Sequence, residues 1–361
     1  MHRAELAVLA AAVIALLAPI PQDFVERWFS AGLYPLIQRA LTPATNLLPV
    51  AILDILVLAA LVRLTVGLVR TVRRAWQQRS LRPVLSGAFD LVAAAAAVYL
   101  VFLLLWGFNY RRVPMTVRLD VTNGAPAADM VMALGRRAVR EMNQLHAPAH
   151  RAGWNAMEWR DPDLRGAFMT VQGILSDASP AAPGRLKQSL LGFYFRWTSV
   201  DGMVNPFGLE VLANPDLLPF ERPFVAAHEW AHLAGYADES EASFVGWLTT
   251  LHANDAARYS GWLFLYWQVS GDVSGDERRE LASMLEDGPR RDVDAIVDRL
   301  RRGGWPLLRT AGWAVYDQYL KANRVDAGIR SYSEVVTLIL RARFDDSWTP
   351  ARRDSRRSPA P

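Results

Sequence analysis

His228-Glu229-Trp230-Ala231-His232 puts two imidazoles and a carboxylate into five consecutive residues of an apolar run. On a helix, residues four apart stand one above the other at about 6 Å, so both rings reach toward one point on the same face. Two imidazole nitrogens so placed can ligate one zinc ion at about 2.0–2.1 Å, while the glutamate between them stands beside the ion without ligating it. This is the two-histidine half of a hydrolytic zinc site, with Glu229 as the general base. A catalytic zinc also needs a third protein ligand and an open position for water. The chain has no cysteine, so that ligand must be His, Asp or Glu, and redox compartment cannot be read from disulfides.

Three carboxylates follow the motif closely: Asp238, Glu239 and Glu241. His228-x-x-x-His232-x-x-Gly235-x-x-Asp238 has the outline of a metzincin site with aspartate replacing its third histidine. Glu239-x-x-Ala242 instead fits the arrangement in which a second helix delivers a glutamate. Gly235 is a helix stop that folds the two helices against each other, which favours Glu239 and leaves Asp238 as the alternative. Glu241 lies about 200° around the helix from Glu239, so it reads as a solvated or capping charge. Tyr259, Arg258 and Tyr319 are candidate donors to a developing oxyanion, with Tyr259 the one we single out. Asn205 is a candidate for holding a substrate carbonyl. Of the remaining histidines, His252 falls on the opposite face of its helix, and His146 and His150 flank a helix end at Pro148, where capping or exposure accounts for them.

The run from His228 to Phe244 resembles an uncharacterised bacterial family of membrane-anchored HExxH proteins of the zinc metallopeptidase type, domain of unknown function 3810. Tyr34-Pro35-Leu36, Arg258-Tyr259-Ser260-Gly261, Tyr319-Leu320-Lys321-Ala322-Asn323, Gly328 and Ser331-Tyr332 agree with it, and the likeness covers nearly the whole chain except the arginine-rich tail. The resemblance implies a gluzincin-like site with His228 and His232 as ligands, Glu229 as base and Glu239 as third ligand, holding Zn(2+). Related glutamate-ligand peptidases often carry an aspartate four residues after the ligand glutamate to orient a histidine. Ser243 stands there in this chain, which weakens that role or moves it elsewhere.

The elements that must position these groups follow from periodicity and turn residues. The HExxH helix starts at Pro223, a favourable first-turn position, and stops at Gly235. Asp238 or Ser240 caps the next helix, which turns Phe244, Leu248 and Leu251 inward. Upstream, helices are expected over Pro126–His146 and Pro162–Leu175, then a break at Ser179–Gly184. The aromatic and branched composition of Gly192–Thr198 predicts a strand, and Val200–Met203 a second one ending near Asn205; their edge could pair with an extended substrate. Pro206–Pro223 reads as a loop. Further helices are expected at Ala256–Ser270, Asp276–Glu286, Asp292–Arg302, Thr310–Ala322 and Tyr332–Ala342.

Of the 361 residues, 52% are hydrophobic, concentrated at the front of the chain. Three stretches approach the roughly 20 residues that a bilayer crossing needs: 5–20, 47–69 and 85–108. Arg70, Arg73, Arg74, Arg79 and Arg82 crowd between the second and third. The positive-inside rule places that loop in the cytoplasm and everything after Tyr110 outside it. Trp76, Trp106 and Tyr110 fit an interfacial aromatic belt, and Asp54 and Asp90 lie near span ends, where a structural role suffices. The net charge of +4 comes largely from arginines at the membrane and in the tail, and no basic run interleaved with aromatics suggests nucleic acid.

The expected protein is an α-rich α+β chain. Residues 1–110 form a membrane anchor of three transmembrane helices. Residues 111–345 form a mostly helical zincin-like domain with a small β-sheet, and 346–361 a disordered basic tail. Its expected function is peptide hydrolysis by zinc-activated water, carried out at the extracytoplasmic face of the bacterial cytoplasmic membrane on an unidentified peptide or protein. The alternative is a non-catalytic zincin-like membrane receptor or assembly protein.

Overall fold

A computed structural model describes residues 2–154, 158–303 and 334–353, with single helical positions at 310, 314 and 318. Four helical segments come first: α1 (His2–Leu17), α2 (Gln22–Asn46), α3 (Ile52–Gln78) and α4 (Arg82–Leu105). Two of them, α3 and α4, are long and apolar enough to cross a membrane. None of the residues of α3 is buried, and Leu58, Leu61, Leu64 and Leu68 lie exposed along it. An apolar helix with no protein cover is suited to lipid. The first expected span is a different case. The 16 residues of α1 reach about 24 Å, and a break then bends the chain by 113° into α2.

Among the described residues, the later helices of seven or more residues are α5 (Ala128–Ala152), α6 (Pro162–Leu175), α7 (Gly192–Thr198), α8 (Arg222–Leu233), α9 (Glu239–Leu251), α10 (Asp255–Asp272), α11 (Gly275–Ser283), α12 (Asp287–Gly303) and α13 (Glu334–Arg341). Pro148 lies inside α5, which therefore runs past the expected end at His146. The expected helix at Thr310–Ala322 lies largely outside the described residues. Three short strands, β1 (Leu186–Lys187), β2 (Gly202–Asn205) and β3 (Glu210–Ala213), form one sheet in the order β1-β3-β2. β1 runs parallel to β3, and β2 runs antiparallel to it with Met203 opposite Leu212 and Val204 opposite Val211. Among the described residues β2 is therefore an edge strand.

Gly192–Thr198 is helical, not the expected strand. Its aromatic composition suits either state, but burial recurs at every third residue, Gly192, Phe195 and Thr198, rather than every second. The Phe193 and Trp197 rings meet 5.0 Å apart, four residues on along one face. Ser199 at φ 57° then ends the helix.

α9 is the axis of the domain. It is buried from Glu239 to Thr250 and packs against α8, α10 and α13. Gly246 allows the closest approach to α8, since a Cβ there would stand 2.9 Å from the backbone nitrogen of His228. At the other end of the α8–α9 corner, Gly235 takes φ +84°, a left-handed conformation that suits glycine. Residues 346–353, expected in a disordered tail, are docked instead. Trp348 packs 5.2 Å from Trp247 and 5.8 Å from Trp262, and Arg352 pairs with Asp177 at 2.8 Å.

The N-terminal helices and the rest of the described chain are joined through buried polar contacts. Lys187 and Asn205 hold Glu210 at 2.8 and 2.9 Å, and Glu210 accepts the first backbone N–H groups of α3, from Ile52 and Leu53. At the end of α8, whose last carbonyls have no partner within the helix, Tyr34 donates to Leu233 O at 2.7 Å and Trp106 to His232 O at 2.9 Å. Arg112 donates to Gly235 O at 2.9 Å. The arginine-rich turn at 79–82 therefore lies at the far end of α3 and α4 from the domain.

The Gly246 contact is testable. Gly246→Ala is expected to cost about 1–3 kcal/mol through overpacking against backbone. Gly166→Ala on α6, where a Cβ meets nothing within 4 Å, should gain about 0.5–1 kcal/mol. Thermal melts of the detergent-purified protein should shift in opposite directions; equal shifts would show that the helices separate without cost.

Candidate metal centre

The helical spacing of α8 brings the His228 and His232 rings to 4.7 Å between centroids, with their planes at 89°. α9 adds Glu239 from its first residue. His228 Nε2 and His232 Nε2 are 3.1 Å apart, and each lies 3.3 Å from Glu239 Oε2. For tetrahedral zinc with bonds of about 2.0–2.1 Å, ligand atoms should be separated by about 3.3–3.4 Å. The three protein edges match that spacing, so the donor set fits a zinc ion of this kind.

Supporting contacts fix the rings in place. His232 Nδ1 donates to the Tyr236 carbonyl at 2.7 Å, which fixes the ring with Nε2 facing Glu239. Ser243 Oγ lies 3.3 Å from His228 Nδ1, so the residue four places after Glu239 touches the histidine that an aspartate would otherwise orient. Burial disfavours charge on His232, but the Glu239 carboxylate outweighs it and lifts the ring to about 9. Burial alone would raise Glu239, but the two imidazoles hold it well below the usual carboxylate range. His228 is pushed down by burial. The cluster is thus built to hold positive charge against an ionised carboxylate.

Glu229 stands next to this cluster and is 3% exposed. Among the described residues its Oε2 has no hydrogen-bond partner, an expensive state for a buried carboxylate oxygen and one that suits a site where water or substrate comes in. Burial pushes its carboxyl up to about 8. Gly202 on β2 packs directly over it, since a Cβ there would lie 2.6 Å from Glu229 Oε1. His228, Glu229 and Gly202 line a cavity of about 350 Å³. Phe224, Phe264 and Trp267 form its apolar wall, and Arg299 reaches it while paired to Asp201 at 3.0 Å and Glu221 at 2.7 Å.

The other sequence candidates lie elsewhere. Asp238 is the N-cap of α9, where Oδ1 accepts from Ser240 N and Glu241 N, so the structure brings Glu239 rather than Asp238 to the imidazoles. Tyr259 donates its hydroxyl to Asp292 at 2.6 Å and does not line the cavity. That corrects the expectation that it faces the site. Arg258 pairs with Asp255, and Tyr319 lies outside the described residues. Asn205 is buried and spends its amide on Glu210, and its Oδ1 accepts from Phe207 N in a turn. Glu241 is buried and accepts from Met115 N, not solvated as expected. His252 occupies the C-cap of α9. Sequence reasoning missed Gly202, Arg299 and the Tyr236 carbonyl. Gly202 and Arg299 carry no local signal, because their roles depend on a strand and a helix folding back over α8, whereas the Tyr236 carbonyl is a local contact four residues beyond His232.

Residues 29–340 match the family model described as "Protein of unknown function (DUF3810)". No match is found among curated proteins or among solved structures.

The ligand geometry separates the two carboxylates experimentally. Elemental analysis should find that His232→Ala and Glu239→Ala each lose one bound zinc. Asp238→Ala should keep it while losing about 1 kcal/mol of stability through the missing cap. Zinc loss in Asp238→Ala with retention in Glu239→Ala would reverse the assignment.

Proposed function

The chain belongs to the DUF3810 family of proteins of unknown function, and from its site we propose that it is a membrane-anchored zinc metallopeptidase. The observation that carries this reading is the set of three near-tetrahedral edges among His228, His232 and Glu239, with the partnerless oxygen of Glu229 beside them. Bound there, zinc would supply Lewis-acid polarisation of a carbonyl and make water a stronger acid.

The protein's own groups then have defined tasks. Glu229, raised by burial, is suited to take a proton from the attacking water and return it to the leaving amine. Gly202 leaves room for that carboxylate beside the cavity, since any side chain there would meet it. Tyr236 and Ser243 hold the imidazoles in register. As an edge strand over Glu229, β2 offers backbone groups to an extended peptide, and the aromatic wall of the cavity suits an apolar side chain.

Two helices suited to a bilayer support membrane association. We further propose that the domain lies outside the cytoplasm, since the arginine-rich turn is at the opposite end of α3 and α4. The absence of native cysteine makes this simple to test. In intact cells a membrane-impermeant maleimide should label Asp276→Cys and spare Gln78→Cys; the reverse pattern would invert the topology.

Glu229→Gln should keep its zinc and lower peptide hydrolysis by about 10²–10⁴-fold. Full activity in that variant, in cleavage or in the protein's cellular role, would favour a non-catalytic receptor instead.

A further inference from the structure

We propose that His146, His150 and Asp292 bind a second divalent transition-metal ion of the zinc class, which pins the wall of the cavity to the rest of the domain. His146 and His150 stand one helical turn apart on α5, and Asp292 approaches them from α12, 142 residues further along the chain than His150. One nitrogen of each ring and one carboxylate oxygen all lie within 4.8 Å of one another. His150 Nε2 is 2.8 Å and His146 Nε2 3.5 Å from the same atom, Asp292 Oδ2.

Tyr259 also donates to Asp292 Oδ2, at 2.6 Å. A carboxylate oxygen offers about two lone-pair sites, yet three groups converge on this one. A metal ion resolves the crowding. The tyrosine keeps one lone pair, the ion takes the other, and both imidazoles ligate the ion instead of competing for the oxygen. A hydrogen bond to a ligating carboxylate, here from a phenol, also orients such a ligand.

The surroundings are shaped around these rings. They lie 4.1 Å apart between centroids, with Tyr259 5.7 Å from His146 and Trp154 5.6 Å from His150. Gly288 opens α12 directly over His146, where a Cβ would stand 2.5 Å from the ring. Asp292 is buried, while the His150 side chain is 36% exposed, which leaves a route for the ion and a water ligand. Two imidazoles with one carboxylate suit zinc and its neighbours rather than magnesium or calcium.

The ion would have a structural consequence. Four, seven and eight residues beyond Asp292, the same helix contributes Ile296, Arg299 and Leu300 to the cavity beside Glu229. Tying Asp292 to α5 fixes the height and rotation of that wall. The metal site itself does not depend on the peptidase reading; only this consequence does.

Metal content and melting temperature of the full chain in detergent test the proposal, after chelation and reloading with zinc alone. The parent should hold about two zinc ions per chain, His150→Ala and His232→Ala about one each, and the double variant none. Zinc should still raise the melting temperature of His232→Ala, through a site absent from His150→Ala. His146→Gln serves as a second variant and should lose the same ion. One zinc per parent chain, removed by His232→Ala and untouched by His150→Ala or His146→Gln, would overturn the second site and leave the proposed catalytic site standing. One zinc removed only by the α5 variants would sustain the second site and defeat the catalytic reading.

Discussion

The distance between α8 and α9 governs everything the site can do. An imidazole pair at i and i+4 is a property of one helix and needs no tertiary structure. The third donor comes from a different helix, and its position is set by how closely the two backbones approach. Gly246 removes the side chain that would keep them apart, and Gly235 turns the chain at a conformation few other residues tolerate. With both in place, Glu239 arrives 3.3 Å from each imidazole nitrogen. A shift of one ångström would leave a buried carboxylate and the two imidazoles with no common centre.

That corner does not stand alone. The last carbonyls of α8 accept from Tyr34 and Trp106 of the N-terminal segments, and the Gly235 carbonyl that follows accepts from Arg112. Trp106 ends α4, and its ring also lies 6.4 Å from that of His232. The N-terminal helices are therefore a structural part of the candidate site. Similarly, Glu210 links the sheet that covers Glu229 to the first turn of α3. Helices suited to lipid and the elements that hold the cluster share one set of buried hydrogen bonds.

Much of the candidate site is legible in the sequence because the residues that could hold a metal are local. His228, His232, Asp238 and Glu239 fall within twelve residues, and helix period, a glycine stop and an aspartate cap are enough to arrange them. Legibility ended where partners are distant. Tyr259 reads from sequence as a candidate oxyanion donor, while its hydroxyl is committed to Asp292. His146 and His150 read as capping or exposed residues because nothing local reveals the aspartate of α12. The aromatic run 192–198 misled because composition favours a strand, whereas burial at every third position decides for a helix. Trp348 lay in a segment whose arginines and prolines suggested disorder, yet two buried tryptophans of the core receive it.

Anomalous diffraction from crystals of the zinc-loaded protein, with data at and below the zinc absorption edge, would test the central claim most directly. The account requires an edge-dependent peak between the Nε2 atoms of His228 and His232, within bonding distance of a Glu239 carboxylate oxygen. A zinc-replete crystal with no peak between those rings, or one whose peak is bound by Asp238 while Glu239 points elsewhere, would contradict it.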